Sequence, residues 1–187
     1  MLSTAVAKEI GKNLNRLKTY EPTKTYTERI LKEGTYRNIA RTQYTDDSKI
    51  TDHYAIIPTG QLTELGSLSD LQRRVYDLVV RRFLSIFYPA AEYETIKLVV
   101  QVGVEQLFAS AKVLKNPGFL EIMGKPANED NKEEESAGLL KLAGQLKTGD
   151  PLNVDGYEIK EGKTAPPKRY TSGSMVLAME NAGQLIE

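Results

Sequence analysis

An α+β fold is predicted by where the hydrophobic period changes along the chain. Over roughly the first ninety residues apolar side chains recur every three or four positions, as on a helix, whereas after Tyr93 they alternate, as on a strand. A helix start returns near Thr171. Helices and strands are segregated rather than alternating, which is the pattern of α+β, and no period of roughly 20 to 50 residues marks a repeat architecture.

Taken in order, residues 4–19 place Ala5, Ile10, Leu14 and Leu17 at helical spacing, with Lys8, Lys12, Arg16 and Lys18 elsewhere on the turn. That is a short amphipathic helix. Pro22 breaks it, and "TKTYTERILKEGTYRN" resumes a weaker helical pattern that Gly34 closes. From Tyr36 to Thr59 the chain reads as mostly irregular, with "TDDSK" a turn cluster and Pro58 turning Ile57 away from helix. Ser69 is an N-cap for a long helix ending near Pro89, whose apolar face is Leu71, Val75, Leu78, Val79, Phe83 and Ile86. Its other face carries Arg73, Arg74, Arg81 and Arg82 around Asp77. A solvated face is the default reading of those arginines and phosphate contact the alternative. Ile96 to Val102 and Leu107 to Val113 make a hairpin turning near Gly103. "KNPG" is a turn, "FLEI" a short strand and "NEDNKEEE", Asn128 to Glu135, a solvated acidic loop. "LLKLAGQLKTGDPLNVDGYEIKEGKTA" reads as short strands joined by Gly-Asp and Asp-Gly turns. The last helix starts near Thr171 or Ser172 and runs to the end of the chain.

Composition narrows the chemistry. The chain has 187 residues, 40% hydrophobic, enough for one ordinary domain or two small ones without staples. No apolar run approaches the roughly 20 residues of a membrane span, and no secretory signal is expected. Without cysteine there is no disulfide framework or thiolate nucleophile, which fits a reducing compartment; a single histidine excludes a multi-histidine metal cluster. Charge is balanced at 25 basic and 25 acidic residues, yet residues 1–90 carry 14 against 10 and residues 91–187 carry 11 against 15. The acidic run accounts for that second imbalance.

No Walker loop, G-x-G-x-x-G or G-x-S-x-G is present. A hydrolase using His53 as base lacks a serine in a recognisable elbow. His53, in "TDHYAIIPTGQ", is therefore an ordinary surface residue or a donor to phosphate, held by an apolar anchor. "PPKRYTSGS" pairs stiffening prolines with Lys168 and Arg169, followed by hydroxyls and amides at a helix start, which suit an anion; a linker leading into a capped helix is the plainer reading.

Together, "TDHYAIIPTGQ", "VYDLVVRRFLSIFYPAAEYE" and "PPKRYTSGSMVLAMENAG", in that order, resemble the central part of a type IA DNA topoisomerase of the topoisomerase III kind. The resemblance covers most of the chain and is loose over the acidic run and the first forty or so residues. It implies an enzyme that cuts one DNA strand through a tyrosyl phosphodiester, passes another strand through the gap and reseals it, and that relaxes or decatenates DNA in a bacterial-type cytoplasm. In such enzymes a toprim domain binds Mg2+ and the nucleophile lies in a "YPRTDS"-like motif. The opening "LSTAVAKEIGKNL" resembles the sequence directly after that motif, so neither nucleophile nor metal site is expected here. Tyr54 and Tyr170 are not candidates for the nucleophile.

The resemblance further implies three parts: residues 1–92, the later part of a winged-helix-like tyrosine-bearing domain; 93–164, one of two chain passes through a β-rich hinge or arch; and 165–187, the start of a helical DNA-binding domain. His53 matches the family's active-site histidine. Many relatives read "HHAIIPT", so Tyr54 removes the second imidazole. Lys168, Arg169, Thr171, Ser172 and Ser174 fall in the segment that lines the single-strand groove, and Arg73, Arg74, Arg81 and Arg82 are further candidates for facing DNA. The expected partners are single-stranded DNA and the remainder of a topoisomerase chain, with no membrane. An arch built from one pass leaves strand edges open to self-association. The alternative is a stand-alone single-stranded nucleic-acid-binding or accessory module without catalysis.

Overall fold

Ser3 starts the first helix by accepting a hydrogen bond from the Val6 amide at 3.1 Å, and α1 runs Thr4–Leu17. Its inner face is Ala7, Ile10, Leu14 and Leu17; Ala5, one position off that stripe, is exposed. Pro22 lies in a 3-10 turn, Glu21–Thr23, that redirects the chain into α2, Lys24–Glu33. Gly34 ends α2 at φ 71°, donating to the Ile30 carbonyl at 2.9 Å, the left-handed closure that glycine accepts without a Cβ clash. The next stretch is irregular apart from 3-10 turns at Thr35–Arg41 and Asp47–Lys49.

These features come from a computed structural model that describes residues 1–50, 53–61, 65–124, 133–159 and 161–184. The chain divides into two compact units, Met1–Thr148 and Gly149–Glu187. In the first unit the core gathers Ile10, Leu14 and Leu17 with Ile30, Ile39, Leu84 and Ile122. Each such side chain contributes roughly 1.5–3 kcal/mol by leaving water.

The long helix α3, Asp70–Ser85, opens on a full capping box between Ser69 and Gln72, as its sequence predicts. Its buried face is a correction. Val80, Phe83, Leu84 and Phe87 enter the core, Val79 and Ile86 are half-buried, and Leu71, Val75 and Leu78 remain 69%, 53% and 57% exposed. Two apolar stripes compete on this helix, and the one with two aromatic rings buries more surface. Phe83 and Phe87 meet edge to face at 5.3 Å.

The hairpin forms where the alternation begins. β1, Glu92–Val102, pairs antiparallel with β2, Glu105–Asn116, through a two-residue turn with Gly103 at φ 61°. At about 3.4 Å per residue the arm is roughly 35 Å long. Ile96, Leu98, Val100 and Val102 line its half-buried face, against which α5, Glu133–Ala143, packs. Val99 and its partner Phe108 point the other way and are exposed.

The root of the hairpin is pinned. Phe119 donates its amide to the Pro89 carbonyl at 2.9 Å. At Gly118, φ 50°, a Cβ would lie 2.5 Å from the carbonyl oxygens of Pro89 and Ala90, so only glycine fits without movement. "FLEI" is then not a strand: Leu120–Met123 is a short helix, α4, with Ile122 buried. Its carbonyls are claimed by Tyr26 Oη, donating to Glu121 O at 2.9 Å, and Arg81, donating to Ile122 O at 3.0 Å. Arg29 adds an ion pair to Glu121 at 3.0 Å.

Further expectations are corrected in the rest of the chain. "LLKLA" lies in α5, because Leu and Ala at helical spacing after an acidic first turn suit a helix and its dipole better than a strand. Glu133, Glu134 and Glu135 thus belong to that helix, while residues 128–132 of the expected acidic loop lie outside the described residues. In the second unit, residues 149–159 and 161–171 form no ladder: Leu152, Val154, Tyr157 and Ile159 have a strand's alternation but are exposed, and β structure needs a paired backbone as well as a pattern. α6, Ser172–Glu180, ends at Asn181, short of the chain end, and is followed by a 3-10 turn at Ala182–Gln184.

Candidate nucleic-acid interface

The histidine segment is an extended strap over α1. Ala55 and Ile57 are half-buried against the core and Pro58 is buried, whereas Ile56 is 84% exposed, so the anchor is every second residue rather than the whole apolar triplet. Ala55 donates its amide to the Met1 carbonyl at 3.2 Å. Asn13 Nδ2 donates to Pro58 O at 3.0 Å, and Arg16 to Thr59 O at 3.3 Å. Gly60, at φ 74°, closes the strap; a Cβ there would lie 2.4 Å from Arg16 Cβ. The strap leaves His53 and Tyr54 exposed, and the imidazole has no hydrogen-bond partner among the described residues. Asp52 lies outside them.

The backbone that receives this strap is fixed in turn. Leu2 donates to Tyr44 O at 2.9 Å and accepts from the Asp46 amide at 3.2 Å. Thr4 donates its amide and hydroxyl to the Asp47 carboxylate at 2.8 and 2.6 Å. Those two bonds, the hydroxyl's first, hold the Asp47 carboxyl below its ordinary range. No local pattern marks Asn13, Arg16 or Asp47 as supports of the strap, since their partners lie more than forty positions away, and only the Pro-Thr-Gly punctuation points to Gly60.

The four arginines of α3 separate. Arg81 Nε donates to Asp77 Oδ2 at 2.6 Å while another of its nitrogens holds Ile122 O, so this guanidinium ties α3 to α4. Asp77 also accepts from Tyr20 Oη at 3.2 Å. Burial, then the adjacent carboxylate, push the Tyr20 hydroxyl up to about 12. Arg73, Arg74 and Arg82 are exposed, with no ion pair among the described residues.

In the second unit Lys168 and Arg169 are exposed just before α6. Thr171 Oγ1 accepts from the Ser174 amide at 3.2 Å and Ser174 Oγ accepts from the Thr171 amide at 2.8 Å. These hydroxyls therefore cap the helix. Ser172 is exposed, and the amides of Ser172 and Gly173 lie in the first turn, where a helix start favours an anion. His53 belongs to the first unit and Arg169 to the second.

A family model described as DNA topoisomerase matches residues 3–184, and the chain belongs to that family. Within it the chain is of the type IA, topoisomerase III-like kind. DNA topoisomerase 3 of Bacillus licheniformis is 35% identical over 167 residues, which is 89% of this chain and 22% of the relative. DNA topoisomerase 3 of Bacillus subtilis is 35% identical over 144 residues, 77% of this chain and 19% of the relative, and that of Bacillus cereus strain ZK / E33L is 34% identical over 142 residues. The chain thus spans about a fifth of the length of these relatives. Among the described residues no helix is long and apolar enough to cross a membrane.

Proposed function

We propose that these residues supply DNA-contacting parts of a strand-passing type IA topoisomerase, with His53 placed near the scissile phosphate and Lys168, Arg169 and Ser172 holding single-stranded DNA. The observation that carries this is the strap. It presents His53 two residues from a backbone bond to Met1, beside the Leu2–Leu14 segment that resembles the sequence following the tyrosine motif. An exposed imidazole there can donate a hydrogen bond to a phosphate oxygen or move a proton at the attacking hydroxyl. Thr171 and Ser174 act as positioning residues, because their hydroxyls are committed to the helix cap.

Mg2+ in a toprim domain would aid rejoining in the longer enzyme. The resemblance assigns that ion to the acidic residues of the toprim domain. The same reading makes residues 1–92 part of the winged-helix-like domain, 93–164 one pass of the hinge and 165–187 the start of the helical DNA-binding domain, in a cytoplasmic enzyme. It also makes this chain inactive alone. Among the described residues the sheet has two strands, and the outer edges of β1 and β2 are the sites this reading gives to self-association.

Binding of a fluorescent single-stranded oligonucleotide across a salt series tests the reading. Affinity that falls with salt, weakens by about tenfold in Arg169→Ala and loses part of its salt slope supports it. Binding that ignores salt and both Arg169→Ala and His53→Ala rejects it. Cleavage of supercoiled DNA by the purified chain would reject the assignment of nucleophile and metal to other residues.

A further inference from the structure

The outward stripe of α3 is unlike the rest of the surface. Leu71, Val75 and Leu78 succeed one another at four and three residues, and the 100° step of a helix puts them on the side opposite Val80, Phe83 and Leu84. They form one wall of a groove of about 680 Å³ whose other side includes Tyr20 and Pro22. Its charge is one-sided. Asp77, the acid in the lining, is already taken by Arg81 and the Tyr20 hydroxyl, whereas Arg73 and Arg74 also line the groove and have no ion pair among the described residues. Arg82, one turn beyond Leu78, continues the same stripe with a third such cation.

We propose that this groove docks an amphipathic helix of a partner protein, with aliphatic side chains at i, i+3 or i+4 and i+7, flanked by carboxylates. The spacing of Leu71, Val75 and Leu78 is that of a helix–helix seam, and the flanking guanidiniums select acidic neighbours on the incoming helix. A second copy of this chain is disfavoured, since two such faces would bring arginines against arginines. Nucleic acid is disfavoured as well: the arginines could hold phosphates, but a phosphate backbone would leave the aliphatic wall of Leu71, Val75 and Leu78 in water. The inference uses neither His53 nor the Arg169 segment, and it gives Arg73, Arg74 and Arg82, read from the sequence as candidates for facing DNA, to a protein partner instead.

The test uses the 187-residue chain and a fluorescein-labelled 20-residue helical peptide bearing leucines at that spacing and glutamates beside them, with a second peptide carrying lysines in place of the glutamates. The glutamate peptide is expected to bind at least about tenfold more tightly than the lysine peptide, a difference of about 1.4 kcal/mol. Val75→Glu should abolish that preference while leaving the circular dichroism spectrum and melting temperature unchanged. Leu71→Glu is the second charge substitution, used if Val75→Glu disturbs folding. Combined Arg74→Ala and Arg82→Ala should weaken binding severalfold and flatten its salt dependence. Equal affinity for the two peptides, no binding, or binding untouched by both glutamate substitutions overturns the proposal. So does a concentration-dependent dimer, or oligonucleotide binding, that disappears with Val75→Glu.

Discussion

Gly60 holds the histidine strap at a distance no other residue reaches without displacing Arg16. Gly60→Ala places a Cβ in the left-handed region as well as against α1, and is expected to cost about 1–3 kcal/mol, read from urea unfolding. Amide exchange should quicken at Ala55 more than in α3. Tyr20 sets a different response. Its folded pKa of about 12 stands above the ordinary value near 10, so its contribution to stability is complete below pH 10 and is lost as pH rises from 10 towards 12. Burial raises Tyr76 and Tyr88 in the same direction. Urea midpoints should therefore fall over this window, and less steeply in Tyr20→Phe. A midpoint independent of pH across the window would contradict the assignment. Nothing in the local sequence announces Tyr20: its partners Asp77 and Arg81 lie more than fifty positions away.

The elements that local chemistry specifies were readable, and those settled by distant contacts were not. Ser69 with Gln72, Gly34 after α2 and the alternation of β1 and β2 each carry a complete local signal. "FLEI" carries none, since four apolar-rich residues suit either state and the choice falls to Tyr26, Arg29 and Arg81. The face of α3 failed for another reason: two stripes fit one period, and which turns inward depends on what stands opposite. The candidate site shows the same division, with His53 and Arg169 visible as residue types and the strap that exposes His53 visible only in three dimensions. At this scale the test is capping. Ser69→Ala should lower stability by about 0.5–2 kcal/mol, whereas Thr171→Ala should reduce helicity in α6 by circular dichroism and lower DNA affinity without removing a charge.

Across the whole chain, the two-stranded sheet has few ways to be stable alone, and it relies on α5 over one face and on its pinned root. Gly118→Ala forces the Pro89 and Ala90 carbonyls away and is expected to cost 2 kcal/mol or more, by the order of cost of an overpacked contact. Loss should appear first as faster amide exchange along β1 and β2, with α1 and α2 still protected. The same root has an evolutionary and engineering consequence. Because the chain leaves at Pro89 and returns at Phe119 within one hydrogen bond, the hairpin joins the helical body at a single root, and beyond it packs on α5. Removing or adding two residues per strand keeps every side chain on its own face. Arm reach can therefore be retuned at the Gly103 turn without redesigning the core beneath the root, provided that α5 keeps its packing on the hairpin.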